Sequence, residues 1–280
     1  MTRVIARKLR KNGHSFGEIS KILEKSRQYI WRLSKDVKFD KNGEARYKKD
    51  IVNKYSNKII PQCEKLSQEK VRIISHLLFD GTVFKAGYNH IARYINCSKE
   101  LIDQFINDVE KVYGIKRYNL SICENKGRIH YKATFTSKEM YNDLLKYLPT
   151  FSTSNTKLKL PQIIVNSESK IQLEVIRAFW EDEGSISYKG RLCADLKNKN
   201  IIYQLLDFHK IFDIYGKMCC YNDKTGKTYK LCIHKNKENL TKFYNLKIFH
   251  KSRVSKGYNI SKKKIDVLKH HIHKFKNNEL

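Results

Sequence analysis

Acidic residues are in short supply. Lys and Arg number 57 against 28 Asp and Glu, leaving a formal charge of +29 on 280 residues. A codon bias toward AT-rich triplets accounts for many lysines, as for the plentiful Asn, Ile and Tyr, but not for the shortage of acids to balance them. The excess runs along the whole length and favours a polyanionic partner, nucleic acid first. Long apolar runs are missing as well. None reaches the roughly 18–20 residues of a membrane span, and no signal peptide opens the chain. The expectation is a protein of the cytoplasm or an organellar matrix, not secreted and with no membrane partner. Seven cysteines form an odd number without CxxC pairs, which points to reduced thiols and excludes a disulfide frame or a zinc site. The histidines are scattered too, and the cluster His270, His271 and His273 reads as part of a solvated basic tail.

What is present is length enough for one good core and a small extra module. Residues 2–35 read as three short helices. Ile5 and Leu9 give the first an apolar side and Gly13 stops it. Ser15 and Glu18 form a capping-box pattern at the start of the second, with Phe16, Ile19, Ile22 and Leu23 inward. Ser26 caps the third, which buries Ile30 and Leu33 and leaves Arg27, Gln28, Trp31 and Arg32 outward. This arrangement resembles a helix-turn-helix domain, whose second helix offers such residues to base edges in the major groove. The turn at Glu24 and Lys25 lacks the usual glycine, and a helical hairpin packed on the main domain is the plainer alternative. We assign residues 1–36 to this domain and 37–66 to a basic linker with a short helix near Asp50–Asn57, on the turn signals Asn42, Gly43 and Pro61.

The main body repeats. Tyr113-Gly114 recurs as Tyr215-Gly216, His130-Tyr131-Lys132 as Thr228-Tyr229-Lys230, and Ser137-Lys138-Glu139 as Asn236-Lys237-Glu238, at a nearly constant offset of about a hundred residues. Each unit reads helix, two strands, helix, two strands, helix. In the first unit, strands fit near 82–87 and 89–97, then a helix over 99–113 and a strand over 117–123. The strand after the turn at Glu124–Gly127 places Ile129, Tyr131, Ala133 and Phe135 on one face and His130, Lys132 and Thr134 on the other. In the second unit, Tyr229, Leu231 and Ile233 face inward, with Thr228, Lys230, Cys232 and His234 outward. The fold expected is α+β, with repeats at 67–148 and 167–250, a connector rich in Ser, Thr and Asn at 149–166, and a basic tail with a last amphipathic helix at 251–280.

Two stretches organise this body: Ile73–Gly81 (IISHLLFDG) and Ile176–Gly184 (IRAFWEDEG). Each ends an apolar helical run on a carboxylate followed by glycine. A glycine there is expected, in the left-handed conformation that ends helices. An acid is not, because Asp80 and Glu183 each sit against the negative end of a helix dipole, at a cost of roughly a few tenths to 1 kcal/mol. The same departure twice, in matching places, suggests a function that needs the charge.

The pair resembles the two copies of the LAGLIDADG motif of homing endonucleases, in the single-chain form. Against that motif the final acid falls on Asp80 and Glu183, the closing glycine on Gly81 and Gly184, and the small residue of the helix crossing on Ser75 and Ala178. The first copy departs from it at Ile74, His76 and Phe79, the second at Arg177. The resemblance implies two tandem αββαββα repeats with pseudo-twofold symmetry, motif helices packed side by side, and both acids at the base of a curved antiparallel sheet over duplex DNA. It implies a monomer that cuts both strands, staggered across the minor groove. Asp80 and Glu183 would be the catalytic acids and, with Gly81 and Gly184, the ligands of Mg²⁺ or another divalent cation. Glu181, at the motif's inner acid, and Lys235 are assisting candidates. Arg117, Asn119, His130, Lys132 and Lys230 on the outward strand faces would contact DNA, lysines mainly at phosphates. Two rivals share this surface: a regulator of the same fold without the chemistry, which would lose the acid pair, and a maturase that acts on intron RNA.

Overall fold

A computed structural model describes residues 2–47, 65–125, 127–224, 226–254 and 259–276. The chain divides into two units, Met1–Asn57 and Lys58–Leu280. In the first, α1 (Thr2–Lys11), α2 (Phe16–Ile22) and α3 (Arg27–Ser34) close over Ala6, Ile19 and Ile30, all fully buried. Local chemistry starts each helix. Ser15 accepts from the Glu18 amide at 3.2 Å while Glu18 accepts from the Ser15 amide at 2.7 Å, and Ser26 accepts from the Tyr29 amide. Between α2 and α3, Glu24 takes φ +52°, the left-handed conformation a glycine would adopt more cheaply. Residues 37–47, read from composition as the start of a tether, instead join this unit. Asp40 donates its amide to Lys11 O and caps the helical residues 41–47 through the Gly43 amide. The Arg10 guanidinium lies 3.9 Å from the Phe16 ring centre and 4.4 Å from that of Phe39, so an aromatic–cation stack holds the segment where hydrophobicity alone gave no hint. The helix expected near Asp50–Asn57 lies outside the described residues.

The second unit runs α4 (Gln68–Phe79), β1 (Gly81–Ala86), β2 (Asn89–Asn96), α5 (Lys99–Tyr113), β3 (Asn119–Asn125), β4 (Arg128–Thr136) and α6 (Lys138–Leu145). After the short α7 (Gln162–Val165) the same order returns as α8 (Ser169–Asp182), β5 (Gly184–Ile186), β6 (Leu192–Leu196), α9 (Lys199–Ile211), β7 (Gly216–Asp223), β8 (Gly226–Ile233) and α10 (Lys237–Asn245), and α11 (Lys264–Lys276) closes the chain. It is a mixed α+β body with two four-stranded antiparallel sheets, ordered β1-β2-β4-β3 and β5-β6-β8-β7. The core lies between sheets and helices, with α4 and α8 packed together at its centre. Ser75 and Ala178 are both buried there, and the rings of Phe79 and Phe179 meet edge-on at 5.3 Å. Arg177, awkward in such an interface, avoids it by donating to Leu246 O and Glu174.

Three strand-level expectations change. β3 begins at Asn119, leaving Arg117 exposed ahead of it. Ile129 is 53% exposed, one residue into β4 after the β3–β4 turn. Thr228 is buried, not outward, since its hydroxyl donates to Asp223 at 2.7 Å and accepts from Lys197 at 2.6 Å. The polar connector at 149–166 packs against the body: it buries Phe151, Leu158, Leu160 and Ile164, and Asn198 donates to its carbonyls at Asn155 and Leu158.

Candidate metal and phosphate site

α4 and α8 end side by side. Asp80 leaves the helix at φ −117°, its amide still bonded to His76 O at 3.1 Å, and the Glu183 amide bonds Phe179 O at 2.9 Å. The glycines that follow are not left-handed, contrary to expectation: neither stands among the positive-φ residues. They are ladder residues, Gly81 opposite Tyr94 and Gly184 opposite Ala194. Glycine is required because the strand doubles back against its own helix. A Cβ at Gly81 would stand 2.6 Å from Leu77 Cα and 2.8 Å from Arg93 O, and one at Gly184 would stand 2.9 Å from Trp180 Cα. Close approach, not backbone handedness, fixes the residue.

Asp80 and Glu183 line one cleft of about 710 Å³, with Asp182, Asp195 and Glu181 beside them and Arg128, His130, Arg253 and Lys264 as its basic members. Burial pushes the Asp80 carboxyl up to about 7, and the neighbouring charge of Asp182 adds to it. Burial likewise raises Glu183, reinforced by Asp80 and Asp182. Asp182 is raised by burial against the opposing hydrogen bond from Tyr94. These groups sit in a low-dielectric crevice where each disfavours ionisation of the next. His76 does not relieve them with charge. Burial holds its imidazole down to about 4, so the 2.8 Å contact between Nδ1 and Asp182 Oδ2 is a hydrogen bond with a neutral ring, not an ion pair.

The buried cation here is Lys264, at the start of α11. Its Nζ donates to Glu181 O at 3.1 Å and Trp180 O at 3.3 Å, capping the last turn of α8, and its charge holds down the proton affinity of Asp80, Glu181, Asp182 and Glu183. Composition places Lys264 in a basic tail ahead of the last amphipathic helix. Yet Lys264, Leu268 and Ile272 recur every four residues, one helical face, and all three are buried.

Other expected site residues are spread over the molecule. The register sets Asn119 opposite Thr134, Ser121 opposite Lys132 and Cys123 opposite His130, so Asn119, His130 and Lys132 share the face away from Ala133 and Phe135. His130 also touches Cys97, at 3.4 Å from Nδ1 to Sγ. Lys230 lies on β8 near Asp195, 3.6 Å from Oδ1. Glu181 is buried; Oε1 accepts from the Lys251 amide at 2.8 Å, while Oε2 has no hydrogen-bond partner among the described residues. Lys235 does not line the cleft: its Nζ lies 5.5 Å from the Phe275 ring centre. In the first unit Arg27, Gln28 and Trp31 line an open hollow with Phe16, and Arg32 is exposed. Asp182, Tyr94, Asn96 and Lys264 were not among the residues assigned from sequence.

No family model matches the sequence, and no curated protein resembles it detectably. Solved structures resemble the fold at low identity. Mesophilic variants of the homing endonuclease I-DmoI align at 17% identity and a TM-score of 0.49, over 65% of this chain and 96% of theirs. The homing endonuclease I-WcaI bound to its DNA recognition sequence aligns at 15% and 0.46, over 72% and 86%. Full-length DUF199/WhiA from Thermatoga maritima aligns at 14% and 0.45, over 78% and 65%. Likenesses of this degree say nothing of activity.

Proposed function

We propose that the chain is a monomeric, divalent-metal-dependent DNA endonuclease, in which two tandem αββαββα repeats related by a pseudo-twofold axis each supply one acid to the cut. One observation carries the reading: Asp80 and Glu183, ending two packed helices, share a cleft in which burial and mutual repulsion leave their charge undercompensated. A divalent cation is the natural complement. Among the described residues no three His, Cys, Asp or Glu are grouped as a closed metal site. Mg²⁺ takes one or two carboxylates and completes its shell with water and phosphate oxygens. Asp80 and Glu183 would hold it, and when bound it activates water and neutralises charge on the phosphate.

The chain's own groups do the rest. Arg128, His130 and Arg253 on the cleft wall would seat a phosphate of the polyanion that the charge of +29 attracts. Lys264 offsets part of the rise in proton affinity that burial imposes on the four nearby acids. Asn119, His130, Lys132 and Lys230 on the outward strand faces, with Arg117, would contact the duplex, and the three-helix unit would add a helix-turn-helix contact through Arg27, Gln28, Trp31 and Arg32.

The test is cleavage of a randomised duplex library with Mg²⁺, followed by sequencing of the cut ends. We expect a defined staggered site. Asp80→Asn and Glu183→Gln should each abolish double-strand cutting while leaving binding of that duplex within a few-fold. Double-strand cutting retained by both variants overturns the assignment.

A further inference from the structure

The two halves do not treat their acids alike. Counted along the two motif copies, His76 corresponds to Phe179 and Phe79 to Asp182. Packing of α4 on α8 sets the fourth position of one copy against the seventh of the other, twice. On one side this gives Phe79 against Phe179, ring centres 5.3 Å apart. On the other it gives His76 against Asp182, side chains 2% and 0% exposed. One contact is greasy and its mate is polar and fully buried. Replacing such buried polar pairs by well-packed apolar side chains is often neutral or stabilising, and the mate shows that two phenylalanines fit. Stability is therefore a poor reason for His76 and Asp182.

The hydrogen bonds point to another reason. Asp182 Oδ2 is hydrogen-bonded to His76 Nδ1 at 2.8 Å, and Oδ1 accepts from the Tyr94 hydroxyl at 2.6 Å. The Asn96 amide then donates to both Asp182 Oδ1 and Asp80 Oδ2, each at 3.2 Å. The Asn96 side-chain oxygen is fixed by the Ser98 amide at 2.9 Å, which leaves the amide nitrogen aimed at the two acids. At the other acid nothing comparable exists. The counterpart of Asn96 is Leu196, buried in the core, and among the described residues no hydrogen bond from a side chain reaches the Glu183 carboxylate.

We propose that Asp182 is a positioning residue, reaching across from the second half to fix Asp80 through the Asn96 amide, while Glu183 is left to be oriented by its ligand. This rests on the nuclease reading for its consequence: the two strands are cut by unequally prepared centres, and the strand served by Asp80 depends on residues the other strand does not need.

The experiment uses the full chain, the duplex recovered from the library and three variants: Asn96→Ala, Asp182→Asn and the double change His76→Phe with Asp182→Phe, which copies the apolar mate and so protects the fold. Strand-resolved nicking and Mn²⁺ uptake, followed by loss of the free-ion paramagnetic resonance signal, are read side by side. The expected result is a tenfold or greater slowing of one strand, the same strand lost in Asp80→Asn, with the other within about threefold. Mn²⁺ affinity should weaken about tenfold in step. Equal slowing of both strands, or unchanged nicking and uptake where wild type cuts, overturns the positioning role alone. Wild type that takes up Mn²⁺ more tightly than the variants yet cuts no duplex overturns the nuclease and keeps the clamp. Wild type that takes up no Mn²⁺ overturns both.

Discussion

Asp80→Asn should make the protein more stable as it makes it inactive, and the gain should depend on pH. In the folded chain the Asp80 carboxyl is raised from 3.8 to about 7, by burial first and by Asp182 second; unfolded, it returns to its ordinary value. Between those limits the folded state holds one proton more than the unfolded state, so stability is greatest below the lower value and is lost as pH rises toward the upper one, by at most ~1.4 kcal/mol per pH unit. A shift of about three units sets a ceiling of roughly 4 kcal/mol. Because Asp182 and Glu183 share the repulsion, about half of that is a more realistic share for one residue. Asparagine mimics the protonated carboxyl and can still accept from Asn96. Urea denaturation of wild type and variant from pH 4 to pH 8.5 should therefore show a gap near zero at the acid end, opening to roughly 2–4 kcal/mol in favour of the variant above pH 7. Added Mg²⁺ should narrow the gap by stabilising wild type alone. A variant less stable than wild type at pH 8, or a gap that does not change with pH, would refute the electrostatic account of the cleft.

Two further outcomes follow from the geometry. Gly184→Ala should unfold the second half or cost several kcal/mol, on the order of the largest single-site effects, because a Cβ there meets the Trp180 backbone, including Cα at 2.9 Å; a thermal midpoint within 2–3 °C of wild type would contradict the close-approach argument. Lys264→Met keeps the buried stem but removes the cation that lowers proton affinity at Asp80, Glu181, Asp182 and Glu183, so the acid limb of the cleavage profile should move to higher pH; an unmoved profile would make Lys264 only a cap of α8.

Much of the body was legible because local rules and periodicity agree in it. Ser67 caps α4 as its position suggests, α5 spans Lys99–Tyr113 and stops at a left-handed Gly114, and alternation along β4 separates Ala133 and Phe135 from His130 and Lys132. What failed locally failed for tertiary reasons. Ile129 is apolar and in phase, yet it stands 53% exposed near the turn of the hairpin. Thr228 is polar and out of phase, yet Lys197 and Asp223 satisfy its hydroxyl inside. Phe39 and Tyr47 sit in a basic, linker-like stretch, and only the guanidinium of Arg10, about thirty residues earlier, shows why the segment folds back.

The candidate site divides differently. Asp80 and Glu183 stood out because each breaks a helix-end preference, a signal confined to a few residues. The clamp broke no local rule: His76 was merely bulky, Asp182 merely adjacent, and Tyr94 and Asn96 were two residues of an alternating strand. Their meaning lies in a pairing across the duplication, and that pairing has a readable form. Once two copies pack about a common axis, any position that contacts a different position does so twice, with the residues exchanged. The fourth and seventh positions carry His76 and Phe79 in one copy, Phe179 and Asp182 in the other. Exchange across the axis sorts those four residues into one aromatic pair and one hydrogen-bonded pair, with no histidine facing a phenylalanine and no carboxylate left alone in the core. A lone buried Asp182 would cost several kcal/mol. The hydrogen-bonded pair of His76 and Asp182 and the aromatic pair of Phe79 and Phe179 therefore give Asp80 and Glu183 unlike surroundings at the helix crossing.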